Sequence, residues 1–189
     1  MKSKKIFKAT FLVMVITIAS RFLGLIRDSL VAYYFGAGAI TDAYKAAVMV
    51  PETLFTIIGL GVSTVFIPML SKIRYRDSKE KMFEFANNVI GLLIIMSLCI
   101  FVLGNIFTES IVNIIAPGFS KENMELAISL TRISLINLLF MSVNVCFLSM
   151  LQVCEDFVIP SILGMFFNAP IILYLIIFKD VNILGVTIA

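Results

Sequence analysis

The chain has 189 residues, of which 60% are apolar and 14% are charged, and its mean hydropathy is +1.06. Because soluble globular domains carry about 25% charged residues, this composition excludes disorder and argues against a soluble domain. The formal charge of +3 is too small to indicate a nucleic-acid partner. Histidine is absent from the sequence and the three cysteines lack metal-ligand spacing. We therefore expect free thiols, no metal, no cofactor and no enzyme active site.

The hydropathy pattern contains five segments that are long enough to cross a bilayer, which takes about 20 mostly apolar residues. They run from about Ile6 to Phe35, Ala43 to Leu70, Phe83 to Phe107, Leu126 to Val153 and Phe157 to Phe178. A sixth apolar stretch begins near Val181, and its nine residues are too few to cross. We predict an all-α integral membrane protein, a polytopic helical bundle with about five complete spans and the start of a sixth. We also expect the sequence to be a fragment that stops inside a helix.

Lysine and arginine are distributed unevenly between the predicted loops, and this asymmetry indicates the orientation in the membrane. The four residues on one side are Lys45, Lys121, Arg132 and Lys179, against nine on the other, which are Lys2, Lys4, Lys5, Lys8, Lys72, Arg74, Arg76, Lys79 and Lys81. We predict a cytoplasmic N-terminus and cytoplasmic loops at 71–82 and 152–156. The first 19 residues also resemble a secretory signal peptide, but no clean cleavage site precedes Ser20, so we expect a retained first helix.

The first predicted span is interrupted by the charged residues Arg21, Arg27 and Asp28. A charge deep in a span costs at least ~2.5 kcal/mol and usually faces a bundle interior or a hydrated cavity. Arg21 lies roughly 20 Å along the helix from Lys8, so it is the deeper arginine. Ser20 and Arg27 share one helical stripe, and Arg21 and Asp28 share the next. The alternative is an arginine that reaches the membrane surface without a further role, which fits Arg27 better than Arg21.

The second predicted span adds Asp42, Lys45 and Glu52. Lys45 and Glu52 share a stripe, and Pro51 favours a kink beside Glu52. Glu52 is a candidate partner for Arg21, either in a structural ion pair or as an anion at a ligand site. The mixed signs of these charges suit ligand binding better than acid–base chemistry.

Several blocks of the sequence resemble the MurJ (MviN) family of lipid II flippases. The segment from Ser20 to Asp28 resembles the family's first-helix signature. Phe35 to Gly38, followed by Thr41 to Tyr44, resembles its next block at the right spacing. Less specific matches are Val65 to Pro68, Ile114 to Phe119, and Phe157 with Pro160 and Asn168. The similarity covers nearly the whole chain, and its first two blocks together are fairly specific.

The resemblance implies a fold and a function. The family belongs to the multidrug/oligosaccharidyl-lipid/polysaccharide exporter superfamily, and its members have two six-helix lobes around a cationic cavity. By resemblance, residues 1–189 are the N-terminal lobe of a longer flippase in the bacterial cytoplasmic membrane, without the C-terminal lobe. The implied function is to move the undecaprenyl-pyrophosphate-linked peptidoglycan precursor, lipid II, to the outer leaflet by alternating access, for cell-wall synthesis. The implied substrate-binding residues are Ser20, Arg21, Arg27 and Asp42.

The sequence departs from the family pattern in the second span. Glu52 stands where relatives usually carry Asn, and Leu54 and Phe55 stand where an arginine is expected. Gly59 to Gly61 lacks the glutamate that relatives tend to carry between two small residues. Since one cavity cation is missing and an anion has appeared, we add Glu52 to the candidate substrate-binding residues. The alternatives are a flippase for another lipid-linked saccharide, a cation-coupled drug exporter, and an inactive truncated membrane protein.

Overall fold

A computed structural model describes the backbone of residues 2–178 and 180–188, and the side chains of these residues except 2–6, 9, 57 and 58. Within these ranges the chain forms α-helices and no strand, which confirms the all-α prediction. The helices are α1 (Lys2–Phe35), α2 (Ala39–Arg76), α3 (Lys79–Ile106), α4 (Thr108–Ile115), α5 (Lys121–Ser134), α6 (Asn137–Val153), α7 (Val158–Ile177) and α8 (Ile183–Ile188).

The number of membrane spans agrees with the prediction of about five. Helices α1, α2, α3 and α7 are each long and apolar enough to cross a membrane, and α5 with α6 makes a fifth candidate that is bent by 41°. The predicted fourth span is therefore a broken helix. At the break, the N–H of Ile136 donates to the carbonyl of Ile133 and that of Leu138 to Leu135, which is the tighter 3₁₀ pattern. Neither proline nor glycine stands there, so the sequence carried no signal of the bend.

The chain forms two compact units, Met1–Thr41 with Glu155–Ala189, and Asp42–Cys154. The second unit is built on the packing of α3 against α6. Ser97 of α3 and Ser142 of α6 share a buried hydrogen bond, and Gly104 lies against Leu135 beside the helix break. The residue number rises from 97 to 104 on the α3 side and falls from 142 to 135 on the other side, so α3 and α6 are antiparallel. Small residues at the contact allow this close approach, as is usual between helices in membranes.

The first unit is built on α1 and α7, which run parallel. Gly164 lies against Ser20, and Gly24 lies closest to Asn168, so residue numbers rise together on both helices. If both helices cross the membrane in the same direction, the chain between them must cross an odd number of times. Helices α2 and α3 supply two crossings, and this parity favours counting the bent pair α5–α6 as one span.

The turn after α1 depends on Gly36, whose φ of 76° lies in the left-handed region. This conformation lets the N–H of Gly36 donate to the carbonyl of Ala32 and so end the helix. The hydroxyl of Thr41 then donates to the carbonyl of Gly36 across 2.6 Å. A side chain at position 36 would be strained, which explains why glycine stands at this turn.

Candidate functional site

A cavity of about 770 Å³ lies between α1 and α7, entirely within the first unit. Its α1 residues recur every three or four positions and therefore share one helix face. Three of the predicted site residues, Ser20, Arg21 and Arg27, lie together on this face. The residues that line the cavity are Thr17, Ser20, Arg21, Gly24, Leu25, Arg27 and Asp28 from α1, and Pro160, Ser161, Gly164 and Asn168 from α7.

Gly164 brings the backbone of α7 directly against Ser20. A Cβ atom at position 164 would lie 2.7 Å from Ser20 Oγ and 3.6 Å from Ser20 Cβ. The first of these distances is too short for any real Cβ contact, whereas the second is an ordinary van der Waals contact. A side chain at position 164 would therefore force the Ser20 hydroxyl or α7 to shift.

Replacing Gly164 with alanine is expected to lower the melting temperature of the protein in detergent by several degrees, because α7 or the Ser20 hydroxyl must move. The Ser20→Ala change removes Oγ, so the double variant should recover most of the loss. Gly91→Ala in α3 is the control, since a Cβ there would meet nothing within 4 Å. A Gly164→Ala protein as stable as wild type would contradict this account of the contact.

The two arginines in the cavity differ in their contacts. Arg27 forms an ion pair with Asp28, at 2.9 Å from Nη2 to Oδ1, and its Nε donates to the same oxygen across 3.0 Å. This is the one salt bridge within the part of the chain that the structure describes. Arg21 is exposed to the cavity and makes neither an ion pair nor a hydrogen bond within residues 2–178 and 180–188. The cavity thus presents one neutralised guanidinium and one free guanidinium.

Three further polar side chains line the cavity and are not among the predicted site residues. The hydroxyls of Thr17 and Ser161 donate to the carbonyls of Val13 and Phe157, at 2.8 and 2.7 Å. Asn168 donates its side-chain N–H to the carbonyl of Gly164 across 2.9 Å. Their donors serve the backbone, while their oxygen lone pairs stay available to a ligand. On α7, small and polar residues recur at positions 161, 164 and 168, and this spacing was the sequence signal that could have identified them.

The other two predicted site residues, Asp42 and Glu52, belong to the second unit and are not among the residues that line this cavity. Asp42 lies in the first turn of α2, where a carboxylate stabilises the positive end of the helix dipole. Glu52 is exposed beside the buried Pro51, and α2 continues through that proline. Substrate binding by Asp42 and by Glu52 stays a prediction, whereas the described residues hold no ion pair between Glu52 and Arg21.

Comparison with known proteins identifies the family. The family model described as lipid II flippase MurJ matches residues 31–188. A probable lipid II flippase MurJ from Aquifex aeolicus is 34% identical over 174 residues, which is 91% of this chain and 34% of that protein. A probable lipid II flippase MurJ from Buchnera aphidicola subsp. Baizongia pistaciae is 35% identical over 173 residues, which is 90% of this chain and 34% of that protein.

A solved structure, that of a lipid II flippase MurJ in the inward closed conformation, resembles this fold with a TM-score of 0.80 and 31% sequence identity. The match covers 94% of this chain and 38% of that structure's chain. The chain therefore spans about a third of the length of the curated relatives it matches. Its apolar helices and these relatives make it a multi-pass membrane protein. The match to the family model over most of the sequence shows that this chain belongs to the lipid II flippase MurJ family.

Proposed function

We propose that residues 1–189 are the N-terminal lobe of a longer flippase that moves lipid II across the cytoplasmic membrane. The observation that carries this proposal is the placement of Arg21, Arg27 and Ser20 in one cavity between two membrane-spanning helices. The relatives named as lipid II flippases support the substrate. The lipid's pyrophosphate is the part of the substrate that this cavity would hold.

The charge arrangement explains why a pyrophosphate suits the cavity. A free arginine inside an apolar helical lobe is costly unless water or an anion compensates it, and Arg21 has neither an acidic nor a hydrogen-bonding partner in the described residues. The planar guanidinium grips two phosphate oxygens at once, which lysine cannot do. Arg21 is thus the anchor for the pyrophosphate, and Ser20 adds a short hydroxyl donor on the same face.

The transport step requires a second lobe. In transporters of this architecture, substrate lies near the bilayer midplane between two bundles, and access alternates as one bundle rocks against the other. The cavity described here is lined by α1 and α7 of one lobe. The C-terminal lobe of the same protein would supply the opposite wall, together with the rest of the substrate site.

Complementation tests the function. The full-length flippase, expressed in bacteria depleted of their own lipid II flippase, is expected to restore growth and to clear lipid II from the inner leaflet. The competing functions predict other results. A drug exporter would lower the ethidium content of the cells without rescue, and a flippase for another lipid-linked saccharide would restore that polymer instead. Failure to rescue with normal membrane levels would contradict lipid II transport.

The charge asymmetry of the loops supports an N-terminus on the cytoplasmic side. We expect cysteines at Asp77 and Lys121 to differ in labelling by an impermeant maleimide on intact cells, with Lys121→Cys labelled and Asp77→Cys protected. Both positions are exposed. The neighbouring Ser78 and Ser120 are less suitable because each caps the start of a helix. The background replaces Cys99, Cys146 and Cys154 with alanine, and the reverse pattern of labelling would refute this orientation.

A further inference from the structure

The ion pair between Arg27 and Asp28 has an unusual geometry for consecutive residues of a helix. Adjacent side chains on a helix point about 100° apart and do not normally face each other. Here Nε and Nη2 of Arg27 both contact Oδ1 of Asp28, at 3.0 and 2.9 Å. The guanidinium therefore bends sideways along the helix surface toward Asp28.

Asp28 occupies the edge of the guanidinium that a phosphate would use. The Nε and Nη2 donors form the fork with which arginine grips two oxygens of a carboxylate or a phosphate. The side chains of Arg27 and Asp28 are 33% and 57% exposed, and both residues line the cavity. A ligand in the cavity can therefore reach this pair and exchange with the carboxylate. Arg21, which has no such partner, is open to the ligand from the start.

We propose that Asp28 is a resident counter-anion, which holds Arg27 while the cavity is empty and is displaced when a pyrophosphate binds. This inference rests on the proposed function and assigns unequal roles to the two arginines. Arg21 takes the pyrophosphate first, and Arg27 joins only when the ligand carries enough charge to compete with Asp28. A monophosphate, with fewer oxygens and less charge, competes poorly. After transport, the ion pair between Arg27 and Asp28 forms again, which favours release of the pyrophosphate.

Binding measurements test the exchange. The full-length flippase in lipid nanodiscs is titrated calorimetrically with geranyl pyrophosphate and with geranyl phosphate, two short lipid analogues that differ by one phosphate. The Asp28→Asn change should tighten binding of geranyl pyrophosphate about tenfold and geranyl phosphate by more, so the preference for the pyrophosphate falls. Glu109→Gln is the control for net charge, since Glu109 is an exposed acid outside the cavity.

A double variant isolates the contact. With Arg27→Gln in place, Asp28→Asn should give no further tightening, because no guanidinium remains to be released. Asp28→Glu retains the carboxylate and should bind like wild type, so a folding defect of Asp28→Asn is separated from the loss of the anion. Unchanged or weaker pyrophosphate binding by Asp28→Asn, or equal tightening in the Arg27→Gln background, would overturn the counter-anion role while leaving the function intact. A wild-type protein without preference for geranyl pyrophosphate would instead overturn the proposed function, and this inference with it.

Discussion

Replacement of Arg21 with alanine in the full-length flippase is expected to reduce lipid II transport at least about 100-fold while the protein reaches the membrane at near wild-type levels. The size follows from two charge-assisted hydrogen bonds to the pyrophosphate, each worth about 1.5–3 kcal/mol. The normal level follows from the structure, because Arg21 makes no ion pair or hydrogen bond within the described residues that its removal would break. Growth of a flippase-depleted strain and the lipid II content of its inner leaflet are the measurements.

Two matched variants define what Arg21 contributes. Arg21→Lys keeps the charge but loses the planar fork, so it should restore only part of the activity. Arg132→Ala removes an exposed arginine in the second unit, outside the cavity, and should leave transport unchanged. If Arg21→Ala complements as well as wild type, the residue has at most a structural role. If Arg21→Ala instead abolishes accumulation of the protein, Arg21 has a structural role and its assignment as the pyrophosphate anchor loses its support.

The α1 side of the candidate site was predictable because intramembrane charges are rare and costly. Arg21 and Arg27 stood out from a run of apolar residues, and helical periodicity placed Ser20 on the same face. In the structure the three line one cavity, while their role in substrate binding stays a prediction. The bundle of about five spans was predictable for a related reason. A helix must be apolar over about 20 residues to cross a bilayer, and such segments are easily recognised in a sequence.

The small and polar residues of α7 could have been identified from their spacing, but their position against α1 could not, because it depends on contacts between residues far apart in sequence. The sequence alone does not distinguish Gly164 from any other glycine in an apolar helix, because its contact with Ser20 is visible only in the folded structure. The partner of Arg27 was missed for the opposite reason, since adjacent helical residues are expected to point apart and Asp28 was assigned to a different stripe. The bend between α5 and α6 lies where Leu135 packs into a buried cluster, and neither proline nor glycine stands there to indicate it.

Residues 1–189 expressed alone are expected not to restore growth to a flippase-depleted strain, although they should insert into the membrane. Among the described residues, those that line the cavity belong to α1 and α7. The chain covers about a third of the length of its relatives. Alternating access needs one bundle to move against another around a shared site, so under the proposed function residues 1–189 lack the surface against which to rock. The impermeant-maleimide labelling of Lys121→Cys verifies insertion, which separates a lobe that is present and inactive from one that is degraded.

Supplying the remaining part of the flippase as a separate polypeptide in the same cells provides the positive control. If the two lobes meet in the membrane, this pair should recover a measurable part of the growth that the full-length protein supports. Arg21→Ala in the 1–189 partner should then abolish the recovery, because Arg21 is the proposed anchor for the pyrophosphate. Rescue by residues 1–189 without a partner would show that transport needs no second lobe. In that case the cavity between α1 and α7 would have to open to both leaflets by motions within a single bundle.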